Sequence, residues 1–198
     1  MSLDLEIQAL LRSNEVKQID FSMRGMRVTG YGHLQLSNCF SDQAIANRIR
    51  VTVRPQLVGS RYDAVYNSAA NKISLRSPNV LQTVSGRAMV VHELTHAQFD
   101  LRSRPISILS EEGAAYVAQG LYMLFCNASL EDIDQQVTEE IRDIAVNMRI
   151  DSSYPYLRTA EMTADQINTV RRVVHRSFGY RTGQYLSNGI GGLRYREL

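Results

Sequence analysis

Apolar positions at Leu3, Leu5, Ile7, Leu10 and Leu11 recur at helical spacing and predict a short opening helix. From Gln18 to Leu36 the period shortens. Ile19, Phe21, Met23, Met26, Val28 and Tyr31, punctuated by glycines at 25, 30 and 32, predict strands joined by turns. The run Arg48 to Arg54 alternates strictly and ends at Pro55, a strand signal. Tyr62 to Tyr66 and Lys72 to Arg76 flank Asn67-Ser68-Ala69-Ala70-Asn71 and read as a hairpin.

After Pro78 the period becomes helical. Val84, Ala88, Val91 and Leu94 predict a long helix from Thr83 to about Asp100, broken by Arg102 to Pro105. Ser107 to Asn127 is a second helix, apolar nearly all round, and such helices are buried. Ser129 to Arg149 reads as a third, with Ile133, Val137, Ile141 and Ile144 as its apolar stripe. A fourth opens at Thr163-Ala164-Asp165-Gln166 and runs to about Phe178. Strands first and helices after imply an α+β fold with a small, mostly antiparallel N-terminal sheet packed on the first long helix. The 198 residues suit one domain: strand-rich over 15–77, helical over 80–178, with a glycine-rich, loop-like tail over 179–198.

Composition narrows the function classes. Hydrophobic residues at 44% and charged residues at 21% exclude a disordered chain, and a net charge of +2 gives no strong field toward nucleic acid or anionic membrane. The arginines Arg158, Arg171, Arg172, Arg176, Arg181, Arg194 and Arg196 lean the last forty residues basic, which reads as a solvated surface with nucleic-acid binding unlikely. Cys39 and Cys126 form no CxxC pair, so a thiolate zinc knuckle is excluded and two reduced thiols are expected. The opening Met1 to Glu6 carries acids where a signal peptide has a basic region, and no apolar run approaches the ~20 residues of a membrane helix. A soluble protein is expected, cytoplasmic or exported without a classical signal peptide, with no membrane partner.

The informative segment is His92-Glu93-Leu94-Thr95-His96. Histidines at i and i+4 project from one helix face and can meet one metal ion. Glu93 projects toward the same side, where it can take a proton from a metal-activated water and hand it to a leaving amine. With four histidines and ten glutamates, chance placement gives roughly 0.004 such motifs in this chain. A catalytic zinc needs a third ligand and an open position. Candidates are His33 and His175, brought in by folding; Asp100, one turn beyond His96; and the pair Glu111-Glu112 on the next helix. Carboxylates in so apolar a helix need compensation, which a metal ion supplies, and Gly113, Ala114 and Ala115 would let that helix approach the motif helix closely.

The HELTH segment, followed sixteen residues later by a glutamate in Ser110-Glu111-Glu112-Gly113-x-Ala115-Tyr116, resembles the gluzincin branch of the zincin metallopeptidases. The resemblance covers residues 72–126. It implies one zinc ion per chain held by His92, His96 and Glu112, with Glu93 as general base and a peptide or protein as substrate. Glu111 then reads as a solvated helix-start residue, and as the ligand if the register is off by one. The strand Lys72 to Arg76 would be the edge that pairs with an extended substrate. A Tyr, His or Arg beyond the third ligand would stabilise the oxyanion. Tyr154, Tyr156, Tyr180 and His175 qualify by type, although His175, beside Val173 and Val174, reads better as structural. The family's acid four residues after the glutamate ligand is replaced by Tyr116, whose hydroxyl would support a zinc histidine less strongly. Phe99 and Arg102 occupy the places of the glycine and third histidine of the metzincin branch, which argues against that branch. The rival function is a weak or inactive zincin-like domain that serves as a binding or regulatory module for a nucleic-acid or protein partner.

Overall fold

The computed structural model describes residues 2–41, 48–58, 63–102, 106–152, 159–178 and 185–186. Ser2 and Ser13 cap the helices α1 (Leu3–Leu11) and α2 (Asn14–Lys17), each accepting a backbone N–H three residues on. Strands β1 (Asp20–Met23) and β2 (Met26–Thr29) form an antiparallel hairpin. Its turn residues Arg24 and Gly25 have φ of 53° and 72°, the left-handed pair that matches strand twist. Then come α3 (Gly30–Ser37), β3 (Arg50–Val53), α4 (Pro55–Val58), β4 (Ala64–Asn67) and β5 (Lys72–Leu75). The helical half holds α5 (Val84–Leu101), β6 (Ile106–Ser107), α6 (Ile108–Phe125), α7 (Leu130–Asp134) and α8 (Glu139–Ser152). Last are β7 (Ala160–Glu161), α9 (Ala164–Phe178) and β8 (Tyr185–Leu186).

The architecture is α+β, with α5 and α6 at its centre. Helix α5 packs on α6, on β4 and on α3, while α6 also meets α8 and α9. Thr83 caps α5 through its bond from Gly86 N. At α9 the box closes both ways: Thr163 N donates to Gln166 Oε1, and Gln166 N to Thr163 Oγ1. The interior draws on every segment, from Ile7 and Phe21 through Leu94 and Tyr122 to Val170. Cys39 and Cys126 are free thiols. No described helix is long and apolar enough to cross a membrane.

The structure corrects the fold expected from the sequence in five places. Residues 30–37 are helical, because Thr29 caps the segment and its glycines serve close approach instead of turning the chain. A Cβ on Gly30 would lie 2.4 Å from the Lys17 carbonyl oxygen, and one on Gly32 2.5 Å from Gln98 Cδ. The single helix expected over 129–149 is two, since Thr138-Glu139-Glu140 starts a helix of its own: Ile141 N and Arg142 N both bond the Thr138 carbonyl. In place of one mostly antiparallel N-terminal sheet there are small sheets in the orders β2-β1-β7, β3-β5-β4 and β6-β8. The pairs β1/β7 and β3/β5 are parallel, and C-terminal dipeptides supply β7 and β8, too short to leave a periodic signal. Strand β5 is the central strand of its sheet, so Lys72 to Arg76 is no edge, and the outer strand beside α5 is β4. Gly113 packs toward α9 and not toward α5, a Cβ there lying 2.3 Å from Val170 Cγ1. Tyr154, Tyr156 and Tyr180, and the tail apart from Tyr185–Leu186, lie outside the described residues.

His33 sits on α3 behind α5 and is fully buried. Its Nδ1 donates to the Thr29 carbonyl at 3.1 Å, and its Nε2 lies 3.4 Å from Thr95 Oγ1. Burial pushes its pKa down to about 4. The unfolded chain therefore takes up a proton near pH 6.5 that the folded chain refuses until about pH 4. Folding stability is expected to fall as pH drops through that window, by about 1 kcal/mol per unit from this group. Chemical denaturation at stepped pH is expected to show a shallower acid loss in His33→Gln; identical slopes would contradict the assignment.

Candidate metal centre

Helices α5 and α6 bring three side chains to one point. His92 Nε2 and His96 Nε2 are 3.3 Å apart, and Glu112 Oε2 lies 3.5 Å and 3.7 Å from them. Two ligand atoms on a tetrahedral zinc at about 2.0–2.1 Å stand roughly 3.3 Å from one another, so the three atoms have the spacing a zinc ion requires. Two imidazoles and a carboxylate are also a donor set suited to zinc. Among the described residues, His92, His96 and Glu112 form such a group. Of the other candidates, His33 is buried behind the helix and bonded to Thr29, His175 is exposed on α9, and Asp100 is bonded to Tyr66.

The remaining ring nitrogens are fixed from α6. His92 Nδ1 donates to Gln119 Oε1 at 3.1 Å, and His96 Nδ1 donates to Glu111 Oε1 at 2.9 Å. Both partners accept a proton at Nδ1, which leaves the Nε2 atoms to face the common point. Glu111 is thus not a solvated helix-start residue but is 2% exposed, tied to a histidine at the N-terminal turn of α6 where the helix dipole favours an anion. Tyr116 packs its ring edge on His92, centroids 4.4 Å apart, and the histidine's polar partner is Gln119, one turn further on. Gln119 was not singled out from the sequence. Its one signal is its spacing, seven residues and about two helical turns beyond Glu112, on the same face.

Glu93 lies on the same helix as the two histidines and feels the charges of His92, His96 and Glu112. Its Oε2 accepts the Tyr66 backbone N–H at 2.7 Å. Burial raises its pKa, against the lowering influence of His92 and His96. For His96, burial favours the neutral ring, but the bond to Glu111 and the charges of Glu112, Glu111 and Glu93 outweigh it and lift the pKa to about 9. The Nε2 atoms of His96 and His92 lie 3.3 Å apart, so a proton held on His96 Nε2 would lie between the two rings.

Comparison with protein-family models, with curated proteins and with solved structures finds no match for this chain.

A metal ion entering this site must displace the His96 proton. Binding of zinc near neutral pH is expected to release about one proton, and affinity to weaken about tenfold for each pH unit below 9. Calorimetry in buffers of different ionisation enthalpy measures both. In Glu111→Gln, which removes the nearest anion, proton release at pH 8 is expected to shrink. Proton-free binding by the wild type would contradict the arrangement.

Proposed function

We propose that the chain is a zinc-dependent peptidase of gluzincin type, with His92, His96 and Glu112 as ligands and Glu93 as general base. The observation that carries it is the convergence of two Nε2 atoms and one carboxylate oxygen at zinc-ligand spacing, with Glu93 on the same helix as the histidines and near enough to feel their charges. When bound, the zinc ion supplies a Lewis acid that polarises the scissile carbonyl and makes water nucleophilic near neutral pH.

The chain's own residues do the rest. Glu93 is anchored at Oε2, so Oε1 is the oxygen left to take the proton of the attacking water. Its raised pKa suits the return of that proton to the leaving nitrogen, because a carboxyl nearer neutrality is both an adequate base and a usable acid. Glu111 and Gln119 keep the two rings in one tautomer and one orientation, the part that outer partners play in metal sites. The pairing is asymmetric: an anion behind His96 makes it the stronger donor, and a neutral amide stands behind His92. Peptide as the substrate class comes from the resemblance of the HELTH and Ser-Glu-Glu-Gly segments to zincin peptidases, since specificity resides in cleft walls rather than in the site.

Glu93→Gln separates catalysis from metal binding. Hydrolysis of a fluorogenic random-peptide mixture is expected to drop by about 10²–10⁴-fold while zinc content stays at the wild-type level. Hydrolysis that survives this change, or that is indifferent to removal of zinc by a chelator, would rule the mechanism out.

A further inference from the structure

Tyr66 is bonded to α5 at both of its ends. Its register partner is Ile73, with Val65 opposite Ser74 and Asn67 opposite Lys72. Antiparallel neighbours alternate between exchanging both amide bonds and exchanging none. The Tyr66 N–H is given to Glu93 Oε2, so Tyr66 belongs to the non-exchanging set and its amide leaves the sheet on the outer side of β4. The same residue's hydroxyl donates to Asp100 Oδ2 at 3.0 Å. Asp100 is 1% exposed and lies seven residues beyond Glu93, about two turns along the same helix face, with His96 between them. One tyrosine therefore spans the stretch of α5 that carries the general base and a metal-facing histidine.

We propose that Tyr66 is a positioning residue for Glu93. The amide holds one carboxylate oxygen so that the other faces the three converging ligand atoms. The hydroxyl-to-Asp100 bond fixes the strand that presents this amide. Strand β4 is four residues long and, among the described residues, has a neighbour in its sheet on one side only, so its hold on α5 decides where the amide points. A displacement of about 1 Å in a group that must meet a reacting atom costs rate without touching the metal. The proposal deepens the peptidase reading and rests on it for the consequence, while the clamp itself has its own readout.

Backbone amide exchange, followed by NMR in wild type, Glu93→Ala and Tyr66→Phe, reads the clamp directly. The Tyr66 amide is expected to be protected in wild type and to exchange about tenfold faster in Glu93→Ala, with the Ile73 amide unchanged. In Tyr66→Phe, severalfold faster exchange is expected at the same amide. Zinc-loaded Tyr66→Phe is expected to lose about tenfold in kcat on the fluorogenic random peptides, with KM and zinc content unaltered, whereas a merely structural tyrosine would lower Tm alone. A Tyr66 amide that exchanges alike in wild type and Glu93→Ala, or a folded Tyr66→Phe with full kcat, overturns the proposal. A wild type that binds zinc and cleaves nothing overturns the peptidase reading instead, and the exchange rates still decide the clamp.

Discussion

Burying charge between apolar helices is costly unless each group is paired, and α5 and α6 press four ionisable side chains against each other, three of them buried and His96 partly so. His92 and His96 come from one helix, Glu111 and Glu112 from the other. The pairing satisfies the outer nitrogens through Gln119 and Glu111 and directs the inner ones to Glu112. Most of the remaining structure keeps these two helices in register. The glycines of α6 let α8 and α9 come close behind it: Gly120 meets Ala145, and Gly113 meets Val170. On the far side of α5, Gly32 accommodates Gln98, which bonds both the N–H and the carbonyl of Thr29.

The same constraint explains the chemistry. Three carboxylates around two histidines favour an extra positive charge, and the acids beside His96 raise its pKa accordingly. A divalent cation would supply it more fully. In the proposed peptidase the cation would be zinc, and Glu93, bonded through Oε2 to the Tyr66 amide, would be the general base.

Local signals in the sequence were sufficient for much of this. Capping residues and helical spacing marked α1, α5, α6 and α9 within a few residues, because both are properties of short windows. The motif histidines and Glu112 were legible because i, i+4 geometry and a resembling pattern fix them. What escaped was set by contacts distant in the chain. The glycines at 30 and 32 looked like turn residues, but Lys17 and Gln98 approach them. Glu111 looked solvated because a helix start is usually exposed; only the fold places His96 Nδ1 against it. The short strands β7 and β8 carry no period to detect. Nothing local distinguishes Tyr66 from any other strand residue.

Metal analysis of purified wild type beside Glu112→Ala tests the central claim most directly. The account requires about one zinc ion per wild-type chain after zinc is offered, and its loss in a folded Glu112→Ala variant, because two histidines alone leave the site short of a ligand. A well-folded wild type that takes up no zinc, or a Glu112→Ala variant that holds it as tightly, would contradict the account.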